Sequence, residues 1–289
     1  MKTGLTFFWI ATGIYGVSAF LYILSFIFKK ERFIRYGSFL VGLGFLTQTV
    51  SLAWCWAEIG IQVSTLHTYE LVIRLNGTTW AGVFIFLLAQ LFTKQLKPAG
   101  ILIMPITVLL LFWAGISFRE IGTIPAVLTT WWFWVHMSSG GFAYAFVLIA
   151  GATGLLYLLK DKYKLQITPR PSRGGNDKFY ENLPDLKVLD DLMYRFVALG
   201  FVTLTIMIIS GSLWANQVHG RYWGWDPVEV QSLISWLVYA IWLHLRLTRG
   251  WRGRKLAWYS LFALIAIGIN LTGVPFVEKV FHSGFRLPH

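Results

Sequence analysis

The sequence has little cysteine and little charge. Cys55 is the single cysteine among 289 residues, which excludes a disulfide framework, a CxxC redox pair and a CxxCH site for covalent haem attachment. Only 13% of the residues are charged, whereas a soluble globular protein has about 25%. So few charges cannot cover a water-soluble surface, and a soluble enzyme is therefore excluded.

Apolar and aromatic residues are abundant instead, at 56% and 17% of the chain, with a mean hydropathy of +0.60. About 20 apolar residues in a helix cross a bilayer core of about 30 Å. Eight segments qualify: Leu5–Phe28, Ile34–Ala57, Ile73–Phe92, Ile101–Ser117, Trp132–Leu159, Phe196–Trp214, Val228–Leu245 and Leu256–Phe276. They predict an all-α polytopic integral membrane protein with one transmembrane domain over residues 1–289.

The distribution of Lys and Arg predicts the orientation of these spans. Of the 25 basic residues, 19 fall in one alternating set of loops and 6 in the other. Loops rich in Lys and Arg face the cytoplasm or its equivalent, so both termini are expected on the non-cytoplasmic side. This asymmetry also accounts for the pI of about 9.9, and nucleic-acid binding is not expected.

The one long inner loop, residues 160–195, has two different halves. Its first half contains Pro169, Pro171 and two consecutive glycines, a composition typical of irregular structure. In the second half, apolar residues recur at helical spacing from Leu186 to Met193. This pattern predicts an amphipathic helix on the inner membrane surface that leads into the sixth span.

Tryptophan is distributed asymmetrically. Interfacial belts are expected at both membrane faces, yet ten of the fifteen Trp residues fall at or near the predicted outer face. Two dense runs are Trp131-Trp132-Phe133-Trp134 and Tyr222-Trp223-Gly224-Trp225-Asp226, the second within a predicted external loop over residues 214–227. This surplus of indole rings indicates that the outer face binds something flat and apolar.

Histidine follows the same pattern, because five of the six histidines lie on the predicted outer side. His136 lies about one turn inside the fifth span, where a polar side chain is costly and usually faces a partner or a cavity. His282 comes shortly after the last span. Two imidazoles and many indole rings at one face are what a non-covalently bound haem needs, although a generic transporter or anchor subunit also remains open on these residues alone.

The residues around Asp226 predict a structural role for it. Asp226-Pro227-Val228-Glu229 has an acid at the N-cap, Pro at the first helical position and Glu at the third. This is a capping box that opens the seventh span. Asp226 would thereby hold the turn from Trp223 to Trp225 rigidly at the membrane surface.

Three runs together match a known signature: Gly211-Ser-Leu-Trp214-Ala-Asn216, Gly220-Arg-Tyr-Trp-Gly-Trp-Asp-Pro227, and the stretch from Trp236 to His244-Leu-Arg246. They resemble the tryptophan-rich "WWD" signature of the cytochrome c assembly proteins. The similarity is closest to the CcsA (ResC) subunits of System II cytochrome c synthases. It extends from Leu183 to Ser283, with weaker similarity at His136 and around Glu70, so that roughly half of the chain carries it.

The resemblance implies roles for individual residues. His136 and His282 would be the two axial ligands of a haem b that is bound transiently and without covalent bonds, and His244 would receive haem near the cytoplasmic side. The tryptophan platform would consist of Trp214, Trp223 and Trp225 with Asp226. This chain lacks a lysine that relatives carry after Asp-Pro, which leaves Arg221, Arg119 and Lys279 as candidate partners of the haem propionates.

The implied activity is delivery of haem across a bacterial plasma membrane or a thylakoid membrane and its attachment to the CxxCH segment of apocytochrome c. The family's second transmembrane histidine has no counterpart here, which implies a CcsB (ResB) partner subunit of the synthase. Three other functions remain open. They are a b-type haem subunit of a quinone-linked complex, a solute transporter or flippase, and a System I haem-delivery protein.

Overall fold

The computed structural model describes residues 2–61, 70–116, 130–166, 180 and 183–273, in which the regular structure is helical and no strand occurs. Eight α-helices lie within these described residues: α1 (Lys2–Phe28), α2 (Glu31–Ile61), α3 (Glu70–Phe92), α4 (Gly100–Ile116), α5 (Trp131–Gln166), α6 (Leu186–His219), α7 (Pro227–Leu247) and α8 (Arg254–Gly273). A short 3-10 helix, Lys94–Ala99, leads into α4.

Helices α1 to α7 are each long and apolar enough to cross a membrane. Large apolar side chains, among them Phe39 and Leu109, point out of the bundle, as a lipid environment requires. The prediction of an all-α polytopic membrane protein is confirmed. The eighth predicted span corresponds to α8, and its last residues, 274–276, lie outside the part of the chain that the structure describes.

Helices α5 and α6 are longer than the spans predicted for them, at 36 and 34 residues. At 1.5 Å per residue each is about 50 Å long, well beyond a hydrocarbon core of about 30 Å. The predicted amphipathic segment is helical, but it forms the first turns of α6 and is not a separate surface helix. Leu189 and Met193 explain this difference, since both are fully buried against the protein.

Helix α5 is central to the bundle and packs against α3, α4, α6 and α8. Glycine allows the closest of these approaches. A Cβ atom on Gly154 would lie 3.1 Å from the carbonyl oxygen of Ala257 in α8. Small residues at such contacts let membrane helices pack backbone to backbone.

Polar side chains join α1, α2 and α3 inside the bundle. The Tyr15 hydroxyl donates to Gln48 Oε1 (2.8 Å), and Gln48 Nε2 donates to Asn76 Oδ1 (2.9 Å) and Thr79 Oγ1 (2.9 Å). All four residues are buried. Because every member contributes to the same network, it holds the three helices in one register.

The bundle has two chemically different ends. The tryptophan end is where α5 begins, α6 ends and α7 begins, at residues 130–136, 207–226 and 227–229. The basic end is where α5 ends, α6 begins and α7 passes into α8, at residues 157–166, 183–195 and 242–260. The candidate site residues are distributed over these two ends.

Candidate haem site

A seven-residue loop, residues 220–226, connects α6 to α7 at the tryptophan end. Gly220 ends α6 in the left-handed conformation (φ +70°), and its N–H donates to the carbonyl of Asn216. Trp225 also has a positive φ (+58°), which is uncommon for a residue with a side chain. Trp214, predicted as the start of an external loop, lies instead within α6, because α6 continues to His219.

The predicted capping box is confirmed. The Glu229 N–H donates to Asp226 Oδ1 (2.9 Å), while Glu229 Oε2 accepts from the N–H groups of Asp226 (3.4 Å) and Gly224 (2.6 Å). Asp226 is buried. The two acids therefore fix the loop on both sides of Trp225, and this fixed position accounts for a non-glycine residue with positive φ.

The loop also folds back along α6. The Ser212 hydroxyl donates to the carbonyl of Tyr222 (2.8 Å). The rings of Trp223 and Trp225 meet edge to face, with centroids 5.9 Å apart, and Trp225 is 71% exposed. The loop thus presents the indole of Trp225 to the surroundings, whereas the indole of Trp223 is partly buried.

His136 is held by α6 across the helix interface. Its Nδ1 lies 2.8 Å from the carbonyl oxygen of Met207. A carbonyl oxygen only accepts, so Nδ1 carries the proton and the neutral ring has its lone pair on Nε2. This is the arrangement of metal-binding histidines, in which the second ring nitrogen donates to a carbonyl or carboxylate and fixes the tautomer.

Two α6 residues define the position of the His136 ring. Gly211 provides the space, because a Cβ atom there would lie 2.7 Å from His136 Nδ1. Trp214 stacks on the imidazole, with centroids 6.3 Å apart and ring planes 19° apart, and Phe133 packs on Trp214 at 5.5 Å. The structure therefore brings together two predicted site residues, His136 and Trp214, and adds Met207 and Gly211.

The remaining predicted site residues divide into two groups. His282, Arg119 and Lys279 lie outside the described residues, so the second axial ligand stays a prediction. Arg221 is at the tryptophan end, where its guanidinium lies against Gly224, with Cζ 2.6 Å from the position of an added Cβ. Its positive charge is therefore beside the Trp223–Trp225 turn.

His244 is at the basic end, fifteen residues along α7 from Glu229, or about 22 Å by helical rise. Its side chain is exposed, on the same face of α7 as the exposed Ile234, Leu237 and Ile241. The structure therefore places His244 apart from His136. Any ligand that it binds would contact the outward surface of α7.

Sequence reasoning missed a buried ion pair beside His244. Arg246 Nη1 lies 2.6 Å from Asp190 Oδ2, and Asp190 Oδ1 accepts from the Gly253 N–H (2.7 Å). Arg246 and Asp190 are only 8% and 7% exposed. The sequence analysis assigned no partner to either residue, and their separation of 56 positions leaves no local signal of the contact.

The chemistry of the tryptophan end suits a flat ligand with a metal centre. His136 offers a nitrogen lone pair of fixed direction. The indole ring of Trp214 beside it, and that of Trp223 in the 220–226 loop, offer apolar faces. A histidine nitrogen and aromatic ring faces are groups by which proteins bind haem.

Fold and site define a polytopic helical membrane protein with a histidine held among tryptophans near one end of the bundle. Residues 73–282, which include His136, the 220–226 loop and His244, match the model of a family described as cytochrome c assembly protein. The chain belongs to this family, as a cytochrome c biogenesis protein of the CcsA type.

Relatives match the chain over nearly its full length. The cytochrome c biogenesis protein CcsA of Guillardia theta is 31% identical over 290 aligned positions, which cover 92% of this chain and 91% of the relative. The CcsA of Prochlorococcus marinus is 34% identical and covers 90% and 91%. The CcsA of Chlamydomonas reinhardtii is 32% identical and covers 84% and 67%.

Proposed function

We propose that the chain receives haem, holds it at the tryptophan end and presents it to apocytochrome c for covalent attachment. A role in cytochrome c biogenesis follows from the family. The observation that carries the finer proposal is the His136 ring, whose Nδ1 donates to the Met207 carbonyl while Trp214 stacks on its face. A histidine held in this way is ready to bind iron through Nε2.

The chain's own contribution is positioning. His136 would hold the iron from one side, with His282 as the proposed ligand on the other. Trp214, Trp223 and Trp225 would exclude water from the porphyrin faces. The bound haem supplies two vinyl groups, and addition of the two CxxCH thiols across their double bonds forms the thioethers without a net change in oxidation state.

His244 would act earlier, as the residue that receives haem at the basic end. Its exposed position on the outward face of α7 supports this role, because a ligand there is reached from outside the bundle. A site on that surface is incomplete within the described helices. A CcsB (ResB) subunit that packs against α7 would complete it.

The cellular location is proposed from the relatives. Prochlorococcus and Synechococcus are cyanobacteria, and Chlamydomonas and Guillardia are algae. These sources favour a bacterial plasma membrane or a thylakoid membrane. The count of Lys and Arg favours the tryptophan end as the non-cytoplasmic one.

A b-type redox subunit is less well supported. Such a subunit needs histidines paired across spans to hold a haem within the membrane. In the helices that the structure describes, His136 and His244 lie at opposite ends of the bundle. They cannot bind one iron.

The test is the visible spectrum of the chain co-purified with its partner subunit. We expect b-type absorption that is lost or converted to a different ligation type in His136→Ala and in His282→Ala. His219→Ala is the matched control, since His219 is an exposed histidine at the same end of the bundle. In His244→Ala, haem occupancy should fall while the remaining spectrum keeps its type.

Two results would overturn the proposal. One is a complex without b-type absorption. The other is a His136→Ala spectrum indistinguishable from that of His219→Ala. Full haem occupancy in His244→Ala would remove only the entry role of that residue.

A further inference from the structure

Three polar groups at the tryptophan end are buried without a hydrogen-bond partner: Thr130 Oγ1, Trp214 Nε1 and Trp223 Nε1. In the described residues, two more such groups lie elsewhere, on Gln90 and Tyr239. Arg246 Nη1 is not counted with them, because it lies 2.6 Å from Asp190 Oδ2. Buried polar groups are normally paired, and each exception costs roughly 1–3 kcal/mol. Three of these five exceptions are therefore at the candidate haem site.

Other indoles in the bundle show that this is not a general property of its tryptophans. Trp80 Nε1 donates to Thr49 Oγ1 (2.9 Å), Trp236 Nε1 to Thr205 Oγ1 (2.8 Å) and Trp242 Nε1 to Ser260 Oγ (3.0 Å). Each of these indoles lies between helices and has a hydroxyl acceptor. The two orphan indoles both belong to the tryptophan signature.

The three orphan groups lie on segments that form the tryptophan end. Thr130 immediately precedes α5, six residues before His136. Trp214 stacks on His136. Trp223 is next to Tyr222, whose carbonyl is bound by Ser212 of α6. One of the three residues thus contacts the ring that is proposed to hold the iron, and the other two lie on segments joined to it by α5 and by the 220–226 loop.

The chemistry of these three groups determines which kind of hydrogen-bond partner they would bind. An indole N–H is a donor only, and a threonine hydroxyl is able to donate. The partner must therefore supply acceptors. The nearby carboxylates do not serve, because Asp226 and Glu229 are used by the capping box. The guanidinium of Arg221 against Gly224 adds positive charge to the same loop, which favours an anionic acceptor.

We infer that Thr130, Trp214 and Trp223 form the donor set that recognises the carboxylates of the bound porphyrin. The inference rests on the proposed haem site and goes further, since it assigns the hydrogen-bonding part of ligand recognition to indole N–H groups. The resemblance to the family predicted only cations as partners of the haem propionates. It gave the tryptophans a role only through the faces of their rings.

The experiment compares two iron porphyrins that differ only in the carboxylates: haem and the dimethyl ester of iron protoporphyrin IX. Each is titrated by absorbance into the haem-depleted complex of the full chain with its partner. Trp214→Phe and Trp223→Phe keep an aromatic ring and remove the donor. We expect each to weaken haem binding about tenfold, the size of one hydrogen bond to a charged group, and to leave binding of the ester nearly unchanged.

Two further variants sharpen the comparison. Thr130→Val should weaken haem binding selectively, and Thr130→Ser, which keeps the hydroxyl, should restore it. Trp236→Phe is the matched control, because it removes an indole N–H that already has an acceptor away from the site. Its ratio of haem to ester affinity should equal that of the unmodified complex.

The outcomes separate this inference from the proposed function. If the unmodified complex binds neither porphyrin, the proposed function is wrong. If it binds haem and Trp214→Phe and Trp223→Phe bind haem equally well, the donor assignment is wrong. Equal losses for haem and ester would also overturn it, since they indicate a packing defect instead of carboxylate recognition.

Discussion

The two ends of the bundle are stabilised by different interactions. At the tryptophan end, neutral groups and backbone contacts dominate: the Met207 carbonyl holds His136, Ser212 holds the loop, and Glu229 binds two backbone N–H groups. Aromatic surface stays exposed there, and polar donors stay unpaired.

At the basic end, charged groups bind one another. Arg246 pairs with Asp190 and approaches Asp191 (3.7 Å), and Lys160 donates to the Leu183 carbonyl and lies 3.6 Å from Asp185. The interactions of this end are largely satisfied within the chain. The comparison teaches that polar groups at the basic end mostly find partners within the chain, whereas several at the tryptophan end do not.

The largest expected effect is at the basic end. Asp190→Asn leaves the buried Arg246 charge with only Asp191, at 3.7 Å and half exposed, as counter-ion. Removal of one partner from a buried ion pair costs about 3–5 kcal/mol. We expect a loss of about 3 kcal/mol in the free energy of unfolding, measured by thermal or denaturant unfolding in detergent.

An exposed ion pair at the same end is the matched control. Arg254 Nε lies 3.5 Å from Asp161 Oδ2, and the Arg254 side chain is 59% exposed. Asp161→Asn should cost less than about 1 kcal/mol. Equal losses in Asp190→Asn and Asp161→Asn would contradict the distinction between a buried and a surface pair.

The second effect is at the tryptophan end. In Gly211→Ala the new Cβ would lie 2.7 Å from His136 Nδ1, so the ring must shift and the bond to Met207 must weaken. Loss of such a supporting contact typically lowers metal affinity 10–100-fold. We expect haem affinity, measured by absorbance titration, to fall about tenfold or more.

Gly42→Ala in α2 is the control for this change, because a Cβ there meets nothing within 4 Å. Replacing a helical glycine by alanine in open space should raise stability slightly. Haem binding by Gly211→Ala at the level of Gly42→Ala would show that the close contact does not position His136.

The smallest effect concerns the loop itself. Glu229→Gln removes the negative charge that accepts from Gly224 and Asp226. Loss of charge-assisted bonds of a capping box should cost about 1 kcal/mol. We expect faster proteolytic cleavage of the 220–226 loop and little change in global unfolding.

Asp226→Asn provides the comparison for Glu229→Gln, since Asn is as good an N-cap as Asp. It should keep the protease resistance of the unmodified loop. Cleavage of both variants at the same rate would mean that the charge of Glu229 does not hold the loop.

The helices were predictable from the sequence because the bilayer imposes a minimum length of apolar residues. The boundaries were less predictable: hydropathy decreases at the membrane surface, whereas α6 begins earlier than its predicted span because Leu189 and Met193 are buried against the protein. The capping box was predictable because Asp226 and Glu229 are three residues apart.

The contacts that build the site were not predictable. His136 and Gly211 are 75 positions apart, and neither has a local pattern that reports the other. The exposure of His244 depends on the rotation of α7, which long-range contacts determine. Which indole N–H groups lack an acceptor is known only from the three-dimensional positions of the possible acceptors.

Helix α7 is tied to α6 at both of its ends, through the preceding loop, where Ser212 binds the Tyr222 carbonyl, and through Arg246, which pairs with Asp190. Translation of α7 along its axis, or rotation about that axis, would break both attachments. On the proposed function, haem would therefore pass from His244 to the tryptophan end along a helix that keeps its position. The distance between the two proposed haem positions would then stay constant during transfer.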